Sequence, residues 1–352
     1  MDKPCNRQWT PADRRPLVTV GPFGLSVRDQ ALEADVQAGL TAVEEGLLEA
    51  TKSEVPFITE AAQHLVRAGG KRFRPLLVML AAQFGDPYAP GVVPSAVVVE
   101  LTHLATLYHD DVMDEAAVRR GVDSANTRWG NSVAVLTGDF LFARASQILA
   151  DLGPEAVRVQ ALAFERLVTG QILETAGPSD GRDPVDHYLD VLGGKTGSLV
   201  AVSCRFGAMM SGADETVVDV LTQYGERLGV AFQLADDVLD IASDSHESGK
   251  TPGTDLREGV PTLPVLRLRE RAARLGLPDD IALCELLDSD LTDDVRHAEA
   301  LAALRAHPAL EQARRDTVRY AEEARAALAP LVECDAKVTL LELCDAVVHR
   351  AG

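Results

Sequence analysis

Cysteine is sparse and poorly spaced for either of its cross-linking uses. Cys5, Cys204, Cys284, Cys334 and Cys344 are scattered over 352 residues, odd in number and without a CxxC pair. That argues against a disulfide framework or a zinc-thiolate site and fits reduced thiols in a cytoplasmic protein. Positive charge is in deficit: 34 Lys and Arg face 54 Asp and Glu, a formal net charge of −20. Such a surface repels nucleic acid and anionic membranes, so an anionic substrate has to be met by local cations or by metal. No stretch approaches the roughly 18 uninterrupted apolar residues of a membrane span. The first two dozen residues hold Pro4, Pro11, Pro16 and Pro22 among scattered charges and no apolar run resembling a signal peptide. Residues 1–26 are expected to form a flexible extension. Alternating strand-like patterns are scarce, and no repeat of solenoid length occurs.

What is present is helical periodicity, on a composition of 46% hydrophobic and 25% charged residues that suits an ordinary globular protein with a large core. From about Val27, apolar residues recur at three and four, as in Leu32, Val36, Leu40, Val43 and Leu47. The expected fold is all-α, about a dozen helices packed as one domain over residues 27–352. Ser95 before an apolar run and Asp183 followed by Pro184 read as helix starts. Between Ser243 and Pro264 the composition shifts to Ser, Gly, Pro, Asp and Lys, which reads as a long functional loop.

The strongest local signal is His109-Asp110-Asp111-Val112-Met113-Asp114 at the end of the apolar run Val97 to Leu107. On a helix Asp110 and Asp114 share a face one turn apart, and Asp111 projects about 100° away. That spacing chelates a hard cation or, equally, marks a solvated acidic helix end. A second copy shifts the balance: Phe232-Gln233-Leu234-Ala235-Asp236-Asp237-Val238-Leu239-Asp240 repeats it on another apolar helical segment. Oxygen-only ligands favour Mg²⁺ or Mn²⁺, and Mg²⁺ usually completes its shell with substrate phosphates, so a diphosphate substrate is implied. Gly69-Gly70-Lys71-Arg72-Phe73-Arg74-Pro75 and Arg119-Arg120-Gly121 are surface patches or phosphate-binding groups, and beside metal motifs in so acidic a chain binding is the better reading. Lys195-Thr196 after Gly193-Gly194 is not a P-loop, because Leu189 stands where the leading glycine belongs and no strand precedes it.

From Gly69 to Pro264 the ordered set of Gly-Gly-Lys-Arg-Phe-Arg-Pro, two Asp-Asp-x-x-Asp motifs, Arg119-Arg120, Gly138-Asp139, Gly170-Gln171, Lys195-Thr196, Phe232-Gln233 and Gly253-x-Asp255-Leu256 resembles the trans-isoprenyl diphosphate synthase (polyprenyl synthetase) family. The resemblance implies an isoprenoid-synthase helical bundle around a deep cavity, usually a homodimer, with the aspartate motifs facing each other across its mouth. It also implies a Mg²⁺-dependent prenyltransferase that condenses isopentenyl diphosphate with an allylic diphosphate. Lys71, Arg74, His103 and Arg120 would then hold isopentenyl diphosphate. His103 on its own is as readily a core histidine, but its seven-residue offset from Asp110 puts it on the same helix face. Arg119, Lys195 and Lys250 would hold the allylic diphosphate, with several Mg²⁺ ions on the candidate ligands Asp110, Asp111, Asp114, Asp236, Asp237 and Asp240. Thr196 and Gln233 would stabilise the allylic cation. One departure stands out: Gly259 is followed by Val260, where many members have lysine.

In this family, bulk beneath the first aspartate motif limits product length. Ala105 and Thr106, five and four residues before Asp110, are not aromatic. The expected product is therefore an all-trans chain longer than C20, with farnesyl and geranylgeranyl diphosphate as shorter alternatives. A class I terpene cyclase would carry an Asn/Ser/Glu metal motif in place of Asp236, Asp237 and Asp240. A noncatalytic partner subunit would lack several aspartates, and a plain helical scaffold leaves the basic motifs unexplained.

Overall fold

The computed structural model describes residues 18–20, 25–27, 30–243 and 252–351. The described chain is helical almost throughout, with two short antiparallel ribbons, Val18–Val20 with Leu25–Val27 and Val118–Arg119 with Val122–Asp123. It divides into two compact units, Met1–Glu165 with Leu199–Gly225 and Ala327–Leu343, and Arg166–Ser198 with Glu226–Ala326 and Cys344–Gly352.

In the first unit the helix Val92–Met113 is the central element. Ala96, Val97, Val98, Val99, Leu101, Leu104, Ala105 and Tyr108 are all buried, so it is apolar around most of its circumference rather than along one stripe. It packs against Gln30–Ala50, Phe73–Ala82 and, most extensively, Asn131–Leu152. The helix starts three residues before Ser95: Gly91 is its cap, and buried Ser95 Oγ donates back to Val92 O at 2.8 Å. The serine spends its hydroxyl inside the first turn, so it does not cap. Asp183 does cap, accepting from Val185 N and Asp186 N at 2.8 and 3.0 Å ahead of Pro184.

In the second unit, Leu263–Leu275 packs against Pro184–Leu192 and Pro278–Leu287, and the latter against Asp294–Ala306. The expected loop from Ser243 to Pro264 contains a one-turn helix at Thr254–Arg257, and Lys250 lies outside the described residues. The segment Gly193–Gly197 is a single π-helical turn. A Cβ on Gly170 would fall 2.7 Å from Lys195 N, and one on Gly194 2.9 Å from Arg166 O. Only paired glycines let that turn lie against the helix carrying Gly170.

Helix Asn131–Leu152 is, by length and composition, apolar enough to cross a membrane, and only a third of its apolar window is buried. Val135 and Leu136 are exposed on it, as are Val157 and Leu162 on the helix that follows.

Candidate functional site

A basic cluster in the first unit is built on a strained turn. Gly69 and Gly70 have φ of 82° and 155°, and Arg72 has φ of 46°, which turns the chain into the helix Phe73–Ala82. The left-handed Arg72 sends its guanidinium inward, to Glu44, to Val66 O at 3.0 Å and to Glu100 Oε1 at 2.9 Å. Glu100 is 2% exposed, a carboxylate buried in the middle of an apolar helix with Arg120 Nη2 also 3.8 Å away. A buried carboxylate is tolerated only when paired this way.

Arg119 and Arg120 diverge. Arg120 and Gly121 are the two turn residues of the second ribbon, with φ of 55° and 77°, a two-residue hairpin of the I′ kind. Arg120 donates to Leu65 O at 3.1 Å and to Gly69 O, packed so closely on Gly70 that a Cβ there would lie 2.9 Å from its guanidinium. Arg119 turns back, Nε to Asp111 Oδ1 at 2.6 Å.

Arg74 is used differently from Arg72. Among the described residues it makes no hydrogen bond, and its Nε is buried without a partner. Burial is the main cause lowering its pKa to about 10; Glu100 raises it, and Arg120 lowers it further. His103 lies nearby on the central helix. Burial, then the charges of Arg74, Arg120, Arg119 and Arg72, push its pKa well below the usual histidine value, so it is neutral. Lys71 is exposed. This part of the molecule therefore gathers Arg74, His103 and Arg120, with Arg72 and Glu100 beneath them.

The first aspartate cluster ends the same central helix. Asp110 is half-buried, and Asp114, the C-cap, is exposed. Asp111 is 0% exposed, with Oδ1 on Arg119 and Oδ2 buried and unpaired. Burial raises its pKa, and Arg119 opposes this. Ala105 is fully buried, while Thr106 Oγ1 donates to His103 O at 2.8 Å. Tyr108 is fully buried too, its hydroxyl donating to Ala61 O at 2.6 Å, so its ring is fixed in the helix packing.

In the second unit, Asp236, Asp237 and Asp240 lie on the helix Glu215–Ala242. Asp237 is 4% exposed and accepts from Tyr188 Oη and from Gln233 Nε2 at 3.3 Å. Its pKa is raised well above the usual value by burial, then by the charges of Asp255, Asp240 and Glu174. Asp240 accepts from the backbone N–H groups of Thr254 and Asp255, both at 3.2 Å. Asp236 Oδ1 is 2.5 Å from Arg350 Nη2. From the π-turn, Lys195 Nζ reaches Glu174 Oε2 at 2.7 Å, and Thr196 Oγ1 donates to Gln233 Oε1 at 3.4 Å. The turn thus presents Lys195 and Thr196 beside the helix that carries Gln233 and the aspartates.

Behind Tyr188 is a cavity of about 740 Å³, with Val185, Val191, Val260, Leu266 and Ala273 among its lining. Val260, standing where a lysine was expected, faces this apolar space.

Sequence reasoning missed Glu100, Glu174, Tyr188 and Arg350. Glu100 had a signal, a single acid inside Val97 to Leu107; the other three are set by tertiary packing alone. Among the described residues no three His, Cys, Asp or Glu side chains converge tightly enough to hold a metal unaided. All-oxygen donors of this kind fit a hard divalent cation that takes its remaining ligands from water or a bound anion.

A polyprenyl synthetase family model matches residues 55–302. Nonaprenyl diphosphate synthase of Mycobacterium tuberculosis is 47% identical over 340 residues, covering 96% of this chain and all of that protein. A geranylgeranyl pyrophosphate synthase from Corynebacterium glutamicum, solved in complex with calcium and isoprenyl diphosphate, superposes with a TM-score of 0.83 at 44% identity, covering 92% of this chain and 98% of its own. A decaprenyl diphosphate synthase from Rhodobacter capsulatus gives a TM-score of 0.81 at 36% identity, covering 92% and 99%.

Proposed function

The chain belongs to the polyprenyl synthetase family, and from that premise we propose that this prenyltransferase joins isopentenyl diphosphate head-to-tail (1′-4) to an allylic diphosphate, extending an all-trans chain beyond C20. The single observation that carries the substrate reading is Arg74, a half-buried arginine whose Nε is buried without a partner and which makes no hydrogen bond among the described residues, set beside Arg120 and a neutral His103. A buried unsatisfied donor on a cation is costly, and a diphosphate supplies the acceptor it lacks.

In this reading Arg74, His103, Arg120 and exposed Lys71 hold isopentenyl diphosphate. Asp110 and Asp114 in the first unit and Asp236 in the second would each hold Mg²⁺, with Mn²⁺ as a substitute. Asp111 and Asp237, the buried middle residues, and Asp240, which accepts from the backbone of Thr254 and Asp255, complete the two candidate ligand sets. Bound Mg²⁺ supplies charge that stabilises the departing diphosphate. Arg119 and Lys195 bind the allylic diphosphate as it leaves. The oxygens of Thr196 and Gln233 face the allylic cation left behind and lower its energy. The alkene of isopentenyl diphosphate adds to that cation, and the released diphosphate takes the proton lost from the adduct, so no protein base is required.

The length reading is supported by the nonaprenyl and decaprenyl synthases among the relatives; of the two small residues before the first aspartate motif, Thr106 is half-buried, whereas Ala105 is fully buried in the helix packing. Each isoprene unit buried adds apolar carbons worth ~0.8 kcal/mol apiece, so an open path favours continued growth. The likeness to a geranylgeranyl pyrophosphate synthase favours a C20 product as the second reading. Incubation with isopentenyl diphosphate, geranyl, farnesyl or geranylgeranyl diphosphate and Mg²⁺, followed by mass analysis of the dephosphorylated products, decides. A ladder ending above C20 is expected; a stop at C20 selects the second reading, and a stop at C15 overturns both.

We place the enzyme in the cytoplasm as a homodimer. The exposed apolar residues Val135, Leu136, Val157 and Leu162 need a cover. A second copy suits them better than lipid, because the same helix carries Asp139 and Arg144, which lipid would not solvate.

A further inference from the structure

The ion pair between Asp236 and Arg350 has no part in the reaction just described, yet it occupies one of the proposed metal ligands. Arg350 lies at the end of the helix Asp335–Ala351, and its Nη2 is 2.5 Å from Asp236 Oδ1. Its guanidinium carbon sits 5.0 Å from the centroid of the Phe232 ring, one helical turn before Asp236. The stretch that carries Arg350 is fastened independently: Arg325 pairs with Asp345, and Val347 is 3% exposed. The arginine therefore reaches Asp236 from an anchored segment and rests on an aromatic face, which lowers the entropic cost of holding it there.

We infer that Arg350 is a counter-ion to Asp236 that metal-diphosphate must displace, a positioning residue that sets the threshold for loading. The inference rests on the proposed reading of Asp236 as a Mg²⁺ ligand. A carboxylate oxygen cannot give the same lone pair to a guanidinium N–H and to a cation at about 2.1 Å. Loading therefore trades one ion pair for a stronger one. Asp236 and Arg350 are 35% and 24% exposed at the side chain, so the pair is worth little more than a surface ion pair and yields readily to a divalent ion. Between turnovers Arg350 limits the repulsion of Asp236 by Asp240, one helical turn further on. The displaced guanidinium stays close, above Phe232.

The test is binding of Mn²⁺ with inorganic pyrophosphate to the full chain, followed by calorimetry and by the loss of the free Mn²⁺ spin-resonance signal. Arg350→Gln is expected to tighten binding about two- to fivefold, and Arg350→Lys, which keeps the charge but loses the planar fork, to tighten it less. In an Asp236→Asn background Arg350→Gln is expected to change nothing. If Arg350→Gln binds as wild type does, or more weakly, the inference is overturned and the arginine is a ligand-side donor or a packing residue. Should Arg350→Gln fold poorly, weaker binding by Arg350→Lys overturns it equally. Wild-type protein that binds no Mn²⁺ with pyrophosphate, or an Asp236→Asn variant that binds as well as wild type, removes the reading of Asp236 itself.

Discussion

The two aspartate clusters share one spelling and are held by different chemistry. In each, the middle aspartate is buried: Asp111 at 0% and Asp237 at 4% exposure. Asp111 is met by a cation, Arg119, whereas Asp237 is met by two uncharged donors, Tyr188 and Gln233. The outer residues differ too. Asp114 is an exposed helix C-cap, while Asp240 accepts from the backbone N–H groups of Thr254 and Asp255. The first cluster thus ends in solvent, and the second clasps the segment that follows the undescribed residues. Equal motifs need not be equal devices: the spacing fixes which carboxylates share a face, and the neighbours fix what each can do.

The largest effects are expected at the outer carboxylates. Asp110→Asn and Asp236→Asn remove proposed metal ligands and are each expected to cost about 10²–10³ in kcat, the scale of losing one preorganised charge-stabilising group. Steady-state rates with farnesyl and isopentenyl diphosphate across a Mg²⁺ titration check this. If the clusters were equivalent, the two variants would respond alike to added Mg²⁺. With Arg350 contesting only Asp236, wild-type saturation is governed by the second cluster, and Asp110→Asn keeps its sensitivity to Arg350→Gln.

The middle aspartates sharpen the comparison with an effect on stability. Asp111→Asn leaves Arg119 without its counter-charge and is expected to cost about 1–3 kcal/mol. Asp237→Asn can still accept from Tyr188 and pair with Gln233, and is expected to cost less than about 1 kcal/mol. Denaturant unfolding of both variants measures the gap; equal losses would mean that the nature of the partner does not matter.

Part of this arrangement was legible in the sequence. Recurrence at three and four exposed the helices, and Asp183-Pro184 gave a true start because a short acceptor before proline is a local signal. Ser95 misled because its hydroxyl had a second local option, the Val92 carbonyl. The offset of about 100° between Asp110 and Asp111 follows from helix geometry; that it points inward depends on Arg119, which arrives on a hairpin. The π-turn at Gly193–Gly197 was invisible for the same reason, since Gly194 needs Gly170, more than one helix away in the chain, for its close approach. Arg72, Arg74 and Arg120 read alike as basic residues. Their division into a structural cation on Glu44 and Glu100, an unsatisfied one and a backbone clamp is decided by left-handed turns and one buried acid.

The smallest effect concerns that basic cluster, and it separates the histidine in it from the aspartates at the C-terminal end of the same helix. His103 is held neutral by burial and by Arg74, Arg120, Arg119 and Arg72, so its folded-state pKa lies well below the value near 6.5 of an unfolded chain. As pH falls through about 6.5 the unfolded chain takes up a proton that the folded chain refuses, and stability is lost below that point and recovered above it. His103→Gln, which cannot take up that proton, is expected to show a smaller difference in unfolding midpoint between about pH 5.5 and 7.5 than wild type. A diphosphate beside the ring offsets the four arginines and raises the histidine pKa. Binding of isopentenyl diphosphate near pH 6 is then expected to draw protons from solution, visible as a calorimetric heat that depends on the buffer's ionisation enthalpy. His103→Gln should lose that dependence. If the dependence persists, the proton goes elsewhere and His103 does not face the diphosphate.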